Sequence, residues 1–257
     1  GVEANLRWLR AHYPNLLRVK IGDVRDPQVL ARIVPNCGAI YHFAAQTAVT
    51  TSVVDPEHDF DVNARGTLRL LEAIRACELP PMLLYTSTNK VYGGLDDVAL
   101  QRNVRRYEPL DPGVRARGIS EARPLDFHTP YGCSKGTADQ YVLDYARGYG
   151  LPASVFRMSC IYGPHQCGTE DQGWVAHFAL RALEGERISI YGDGMQVRDL
   201  LFVEDLVEAL LLAREQIEEL AGQAFNIGGG PAHAASLLDV IEQLERLHGP
   251  IAVDFAD

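Results

Sequence analysis

Long apolar runs are missing from this chain. The longest, such as residues 206–213, falls well short of the ~20 residues a membrane span needs and carries Glu208 inside it. Cysteine is sparse too: Cys37, Cys77, Cys133, Cys160 and Cys167 are odd in number, and no two stand at the short spacing of a zinc or redox site. That argues against a disulfide scaffold and predicts a reduced, cytoplasmic setting. The eight histidines show no ligand spacing, so no metal site is expected. Positive charge is in deficit, with 24 Lys and Arg against 34 Asp and Glu, and the net charge of -10 opposes adhesion to nucleic acid or an anionic membrane. An acidic chain can still hold a small diphosphate where a few arginines and backbone N–H groups converge. No signal peptide, internal repeat or low-complexity tract is visible.

One further absence concerns glycine. A dinucleotide-binding domain normally opens with a strand, a glycine-rich turn and a helix whose N-terminus holds the pyrophosphate. Neither G-x-G-x-x-G nor G-x-x-G-x-x-G occurs here. The chain starts at Gly1 already inside a helical pattern and stops at Asp257 after a strand-like run at 251–255. The expectation is a chain truncated at both ends, short of a first βαβ piece of roughly 30 residues.

What is present has the balance of a soluble globular protein, 47% hydrophobic and 23% charged. Helical patterns at 5–13, 28–34, 61–77 and 131–149 alternate with strand-like runs at 17–21, 39–44, 82–86, 153–158 and 200–203. Within 61–77, Leu68, Leu71 and Ile74 recur at helical spacing. Past about residue 164 the elements shorten. This alternation predicts an α/β fold, a Rossmann-like doubly wound parallel sheet without its first βαβ piece, plus a smaller C-terminal lobe. Residues 1–163, with a return at 199–215, would form the first domain; 164–198 and 216–257 would form the second lobe. Residues 95–123, rich in charge and turns, read as a long surface excursion of the kind that is functional or mobile.

The chemistry-bearing residues cluster at predicted strand ends. Tyr131 and Lys135 stand four apart in a helical segment and share a face. An ammonium beside a phenol favours the phenolate, so the spacing predicts a Tyr131 pKa pulled down from about 10. Such a tyrosine can take a hydroxyl proton while a hydride leaves the same carbon. An exposed helix would show the same spacing without any chemistry. Ser87-Thr88-Asn89-Lys90 follows the strand at 82–86, where reacting groups collect in open α/β sheets, although a serine- and threonine-rich turn also caps helices. After other strands stand Gly22-Asp23-Val24, whose carboxylate could meet an adenine amino group, and Ala44-Ala45-Gln46, small enough for a cofactor to pass. Asn63 is expected to tie its helix to a neighbouring strand. Arg198 offers a planar fork suited to a diphosphate, or an ion pair with Asp199. His165-Gln166 and Asp171-Gln172-Gly173-Trp174 suit a base or a sugar, though a lone tryptophan is often core.

Taken together, three segments resemble a known family. They are 86–93 (Thr-Ser-Thr-Asn-Lys-Val-Tyr-Gly), 124–136 with its Tyr131-Gly132-Cys133-Ser134-Lys135, and 171–174 (Asp-Gln-Gly-Trp). Thr50-Thr51-Ser52 and Phe225-Asn226-Ile227-Gly228-Gly229 fit the same pattern. The resemblance, over essentially the whole chain, is to the extended short-chain dehydrogenase/reductases, the NAD-dependent epimerase/dehydratase family. Within it, the likeness is greatest to CDP-hexose 2-epimerases of the paratose/tyvelose type. It implies a tightly held NAD, a CDP-sugar substrate bound by the second lobe, and a homo-oligomer paired through helices 61–77 and 131–149. Carried over by position, it implies a catalytic set of Thr88, Tyr131 and Lys135. Asp23, Val24, Ala44, Ala45, Gln46, Asn63, Ser87, Tyr131, Lys135 and Ser159 would meet NAD. Thr88, Asn89, Gln172, Trp174 and Arg198 would meet the substrate. The chain departs from the family in lacking the glycine-rich turn and in carrying Cys160 where many relatives have asparagine.

The reaction implied is oxidation at C2 of the sugar, turnover of the keto sugar, and return of the hydride to the other face. A 4,6-dehydratase would need an Asp-Glu pair after Thr88, where this chain has Asn89 and Lys90. A UDP-sugar 4-epimerase remains the alternative. A non-catalytic dinucleotide-binding protein would be expected to have lost Tyr131 or Lys135, and both are present.

Overall fold

The structure is a computed structural model that describes residues 2–256. It begins with α1 (Val2–His12), α2 (Pro27–Ile33), β1 (Ala39–His42), α3 (Val49–Val54) and α4 (Pro56–Phe60). A π-helical turn, Asp61–Arg65, leads without a break from α4 into α5 (Gly66–Arg75). Next come β2 (Met82–Thr88), the hairpin of β3 (Leu100–Arg102) and β4 (Tyr107–Pro109), α6 (Pro112–Arg117) and the long α7 (Thr129–Tyr149). The second half runs through β5 (Ala153–Met158), β6 (Cys160–Tyr162), α8 (Trp174–Glu184), β7 (Ile188–Tyr191), β8 (Val197–Phe202) and α9 (Val203–Glu215). It closes with α10 (Ile217–Leu220), β9 (Ala224–Ile227), β10 (Ala234–Ser236), α11 (Leu237–His248) and β11 (Val253–Ala256).

Local sequence explains where these elements start and stop. Asp26 caps α2 by accepting from the N–H groups of Gln28 and Val29, and Pro27 sets the first turn. Ser236 and Asp239 form a capping box on α11. Helix α7 ends at Gly150, whose φ of 69° is the left-handed conformation that glycine adopts without strain. At Gly136, within α7, any Cβ would collide with the Phe127 ring, so the helix can lie against Phe127 only if that position is bare.

The main sheet is parallel, in the order β1-β2-β5-β9. All seven residues of β2 are buried, because helices cover both faces. On one side lie Leu30 of α2, Leu70, Leu71 and Ile74 of α5, and Val142 and Leu143 of α7. On the other lie Leu206, Leu210 and Ala213 of α9. Each buried leucine, isoleucine or valine among them contributes about 1.5–3 kcal/mol. The expected doubly wound α/β architecture is therefore present. A second region holds the sheet β10-β8-β6 and the parallel pair β11-β7, around Phe178, Ile188, Ile190, Val240 and Ile241. No helix among the described residues is long and apolar enough to cross a membrane.

Two expectations are corrected. Residues 17–21 form no strand: nothing among the described residues pairs with them, and Ile21 is 93% exposed. A strand needs a hydrogen-bonded neighbour, whatever its composition. Residues 224–227, assigned above to the second lobe, form the fourth strand of the main sheet, because Phe225 and Ile227 pack into its second face beside Phe156. Residues 160–162 pair with 200–202 of β8, and both stretches were assigned above to the first domain. The surface excursion at 95–123 is also partly ordered, with the β3–β4 hairpin anchored where the Tyr107 N–H donates to the Met195 carbonyl.

Candidate active site

The carboxyl ends of β1, β2 and β5 open onto the first turns of α7. Thr86, near the end of β2, donates from its hydroxyl to the His42 carbonyl at 2.7 Å and so locks β2 to β1. Two residues on, Thr88 is 8% exposed; its hydroxyl accepts the Lys90 N–H at 3.2 Å, donates toward Asn89 Oδ1 at 3.4 Å, and stands close enough to the Tyr131 phenol to lower its pKa. Lys135 is buried one turn further along α7. Its ammonium donates to the Thr86 carbonyl at 2.6 Å and lies 4.4 Å from the centre of the Tyr85 ring. Thr88, Tyr131 and Lys135 are thus brought together by one strand end and one helix face.

Their electrostatics differ from the expectation. The Tyr131 pKa is pushed up, not down: burial is the largest cause, Asp59 adds to it, and only the Thr88 hydrogen bond opposes. Lys135 fails to lower it because its ammonium is turned to the Thr86 carbonyl and the Tyr85 ring. Burial brings Lys135 itself down to about 7, against the upward pull of Asp139 and Asp59. His42, buried beside it, is held down to about 3, first by burial and then by Lys135. The Thr67 hydroxyl donates to the Asn63 carbonyl, so neutral His42 donates to Thr67 from Nε2 at 3.0 Å.

Asn63 ties its helix to the strand end as expected, and is 1% exposed. Its side chain brackets the Gln46 backbone, accepting the N–H at 2.9 Å and donating to the carbonyl at 3.0 Å. The segment after β1 is held open in this way, with Ala44 exposed and Ala45 half-buried. Gln46 Oε1, Ser87 Oγ and Ser159 Oγ are buried without a partner. Orphaned buried polar atoms carry a real cost, and a polar cofactor passing the strand ends would satisfy them. On this observation the residues fit NAD.

Asp23 and Val24 behave otherwise. The Asp23 carboxylate is gripped by the Arg25 guanidinium at 2.6 Å and held down to about 2, chiefly by that hydrogen bond. It is committed within its own turn. Val24 packs into the core with its side chain against Gly66, and does not line an open surface.

On the substrate side, Arg198 is half-buried on β8, and its guanidinium and the Asp199 carboxylate find separate partners. Its guanidinium donates to Gln196 Oε1 at 2.6 Å and to the Val197 carbonyl, while Asp199 accepts from the Gly230 N–H at 3.0 Å. Lys90, given no role in the site by the sequence, shares the Arg198 field. Its pKa is lowered, first by burial and then by Arg198, although its side chain stays open to solvent; a cleft wall has both properties. Gln172 is exposed, and its amide donates to the Thr47 carbonyl. Beside it, Thr50 donates to Asp171 at 3.1 Å. The Trp174 ring packs edge-on against Phe178, with its N–H buried and unpartnered. Asn89 is exposed beside Thr88.

Sequence reasoning passed over one buried network. Asp139 on α7 and Arg157 on β5 pair through two 2.9 Å hydrogen bonds; Arg157 also donates to Tyr92, which donates to Asn226 at 2.7 Å. No short-range motif announces it, because its members come from four separate segments.

This geometry has known counterparts. Residues 3–228 match the NAD dependent epimerase/dehydratase family. The chain belongs to that family. As a member it is an NAD-dependent enzyme of the extended short-chain dehydrogenase/reductase kind. It is 42% identical to the CDP-paratose 2-epimerase of Salmonella typhi over 252 residues, 95% of this chain and 73% of that protein. It is 30% identical to a putative UDP-glucose 4-epimerase of Methanocaldococcus jannaschii over 90% of this chain and 69% of the relative. Among solved structures, a double mutant of the dTDP-glucose 4,6-dehydratase DesIV from Streptomyces venezuelae, with NAD and DAU bound, superposes with a TM-score of 0.80 at 27% identity. That match covers 99% of this chain and 70% of the dehydratase.

Proposed function

We propose that this enzyme is a nucleotide-sugar epimerase inverting C2 of a CDP-hexose of the paratose/tyvelose type. One observation carries the reading: the Thr88–Tyr131–Lys135 cluster is flanked by Asn89 and Lys90, with no carboxylate there to remove water, in a chain 42% identical to a CDP-paratose 2-epimerase. Bound NAD supplies the hydride acceptor, returns the hydride, and brings a positive charge to the pocket. Tyr131 takes the proton of the C2 hydroxyl and later returns it. Thr88 donates to the phenolate, which offsets part of the burial cost. Lys135, held near neutrality, keeps a proton within reach of that exchange. Ala44, Ala45, Gln46, Ser87 and Ser159 are the residues that would hold the cofactor. Arg198 and Lys90 are two cations close enough to act on each other in an acidic protein, which suits a diphosphate. Asn89, Gln172 and Trp174 would complete the sugar-nucleotide side, Gln172 by exchanging its bond to Thr47.

The test is product analysis by NMR with NAD-loaded protein, supplied with CDP-paratose or UDP-glucose. Interconversion of CDP-paratose and CDP-tyvelose, with CDP competing at least tenfold better than UDP, is expected. A buried base site built for cytosine leaves an unpaired group with uracil, at about 1–3 kcal/mol. Turnover of UDP-glucose alone would instead establish a 4-epimerase.

We also propose that it acts in the cytoplasm as a homo-oligomer. Phe60 on α4 and Tyr141 and Tyr149 on α7 are large, exposed and apolar or aromatic, which supports pairing through those helices. Elution as a monomer on sizing chromatography would refute it.

A further inference from the structure

Beneath the cluster lies a carboxylate that the roles above leave unused. Asp59, at the end of α4, is 0% exposed. Fully buried carboxylates are rare unless paired with a cation or hydrogen-bonded, and no cation bonds this one. Instead its Oδ2 accepts from Ser134 Oγ and its Oδ1 accepts from Asn63 Nδ2 at 3.2 Å. Asn63 Nδ2 also lies 3.0 Å from Ser134 Oγ, its two hydrogens being shared among Gln46, Asp59 and Ser134, which closes a ring of three side chains. Two of its members have a second attachment: Asn63 brackets the Gln46 backbone, and Ser134, between Tyr131 and Lys135 on α7, also donates toward the Tyr131 carbonyl. A second serine braces the same turn, since the Tyr131 N–H donates to Ser52 Oγ at 3.2 Å. The π turn makes the arrangement reachable. By adding a residue to one helical turn, it presents Asn63 to Gln46, Asp59 and Ser134 together.

We propose, on the reading that Tyr131 and Lys135 carry the reaction, that Asp59 is a positioning residue: through Ser134 and Asn63 its carboxylate fastens the first turn of α7 to the loop bearing Gln46. It thereby sets the height of Tyr131 and Lys135 over the cofactor loop. Its negative charge acts on both groups as well. The field at Tyr131 and Lys135 is made by Asp59 from α4, Asp139 from α7 and neutral His42 from β1, with Thr86 and Thr88 of β2 as uncharged partners. Asp59 raises both pKa values, and Asp139 also raises that of Lys135.

The experiment compares wild type, Asp59→Asn, Ser134→Ala and Tyr131→Phe as NAD-loaded protein with CDP-paratose, with thermal melts alongside. Asp59→Asn removes charge and keeps shape. Its kcat should fall tenfold or more with KM within about twofold, and both limbs of its pH–rate profile should move to lower pH. A purely structural loss would not shift both limbs in one direction. Ser134→Ala keeps the charge and loses the fastening, so its kcat should fall at least fivefold with the limbs in place and the melting temperature within a few degrees. Wild-type kcat and pH profile in Asp59→Asn would overturn the proposal; so would wild-type kcat in Ser134→Ala, which decides the matter if the Asp59 variant does not fold. Tyr131→Phe separates the two levels: if it keeps its turnover the reading of the site fails, whereas a dead Tyr131→Phe beside an unaffected Asp59→Asn sinks the positioning role alone.

Discussion

Tyr131 shows how far a residue's neighbours decide its chemistry. Its raised pKa means that the resting protein holds a phenol, and the phenolate must be drawn out by what enters the pocket. Tyr131→Phe keeps the ring and its packing but removes the proton carrier, so kcat should fall about 100-fold or more with little change in melting temperature. Steady-state kinetics on the NAD-loaded protein checks this, and near-normal turnover would sink the mechanism. Lys135→Met should also slow the reaction and displace its pH profile, since the group that titrates at about 7 is gone. The Tyr-x-x-x-Lys spacing was legible in the sequence. Where the ammonium points was not, because the Thr86 carbonyl that captures it belongs to a strand 49 residues away.

At the level of elements, α7 is clamped twice. Near its start the Asp59–Ser134–Asn63 ring holds it to the π turn; in its middle Asp139 holds it to β5 through Arg157. The second clamp is an ion pair with side chains 5% and 0% exposed, so losing one partner strands the other charge in the interior. Arg157→Leu should therefore destabilise the protein by about 3–5 kcal/mol, measured by denaturant unfolding. A change below about 1 kcal/mol would mean that Asp139 finds another partner or is readily neutralised. Helices and central strands such as α7 and β5 could be read from periodicity to within a residue or two. The strand expected at 17–21 could not, because apolar composition does not reveal whether a hydrogen-bonding neighbour exists.

For the whole molecule, burial of a neutral imidazole sets a pH dependence. His42 is depressed to about 3 when folded, whereas an unfolded histidine titrates near 6.5. Between those values the unfolded state binds the extra proton, so stability is full above about pH 6.5 and falls as pH drops toward 3. The slope is about 1.4 kcal/mol per pH unit for one such group. Between pH 6.5 and 5, where few carboxylates titrate, the denaturant midpoint should fall in wild type and stay nearly level in His42→Gln. Parallel curves for the two proteins would show that the imidazole is not held neutral. The assignment of strands to regions also belongs to this scale. β9 lies across the boundary drawn from sequence, since pairing follows three-dimensional neighbours and not chain position.

By itself the sequence determined the α/β class, the parallel sheet, the long catalytic-type helix and the family, because those depend on short-range periodicity and on motifs whose residues lie close together in the chain. Tertiary structure decided the rest. It turned Gln172 to Thr47 and Lys135 to Thr86. It also buried Asp59 beneath the site, where a carboxylate that looks like any solvated acid in the sequence becomes a hydrogen-bonded hub. Burial, direction and partner are properties of the assembled interior, and each comes from segments far apart in the chain.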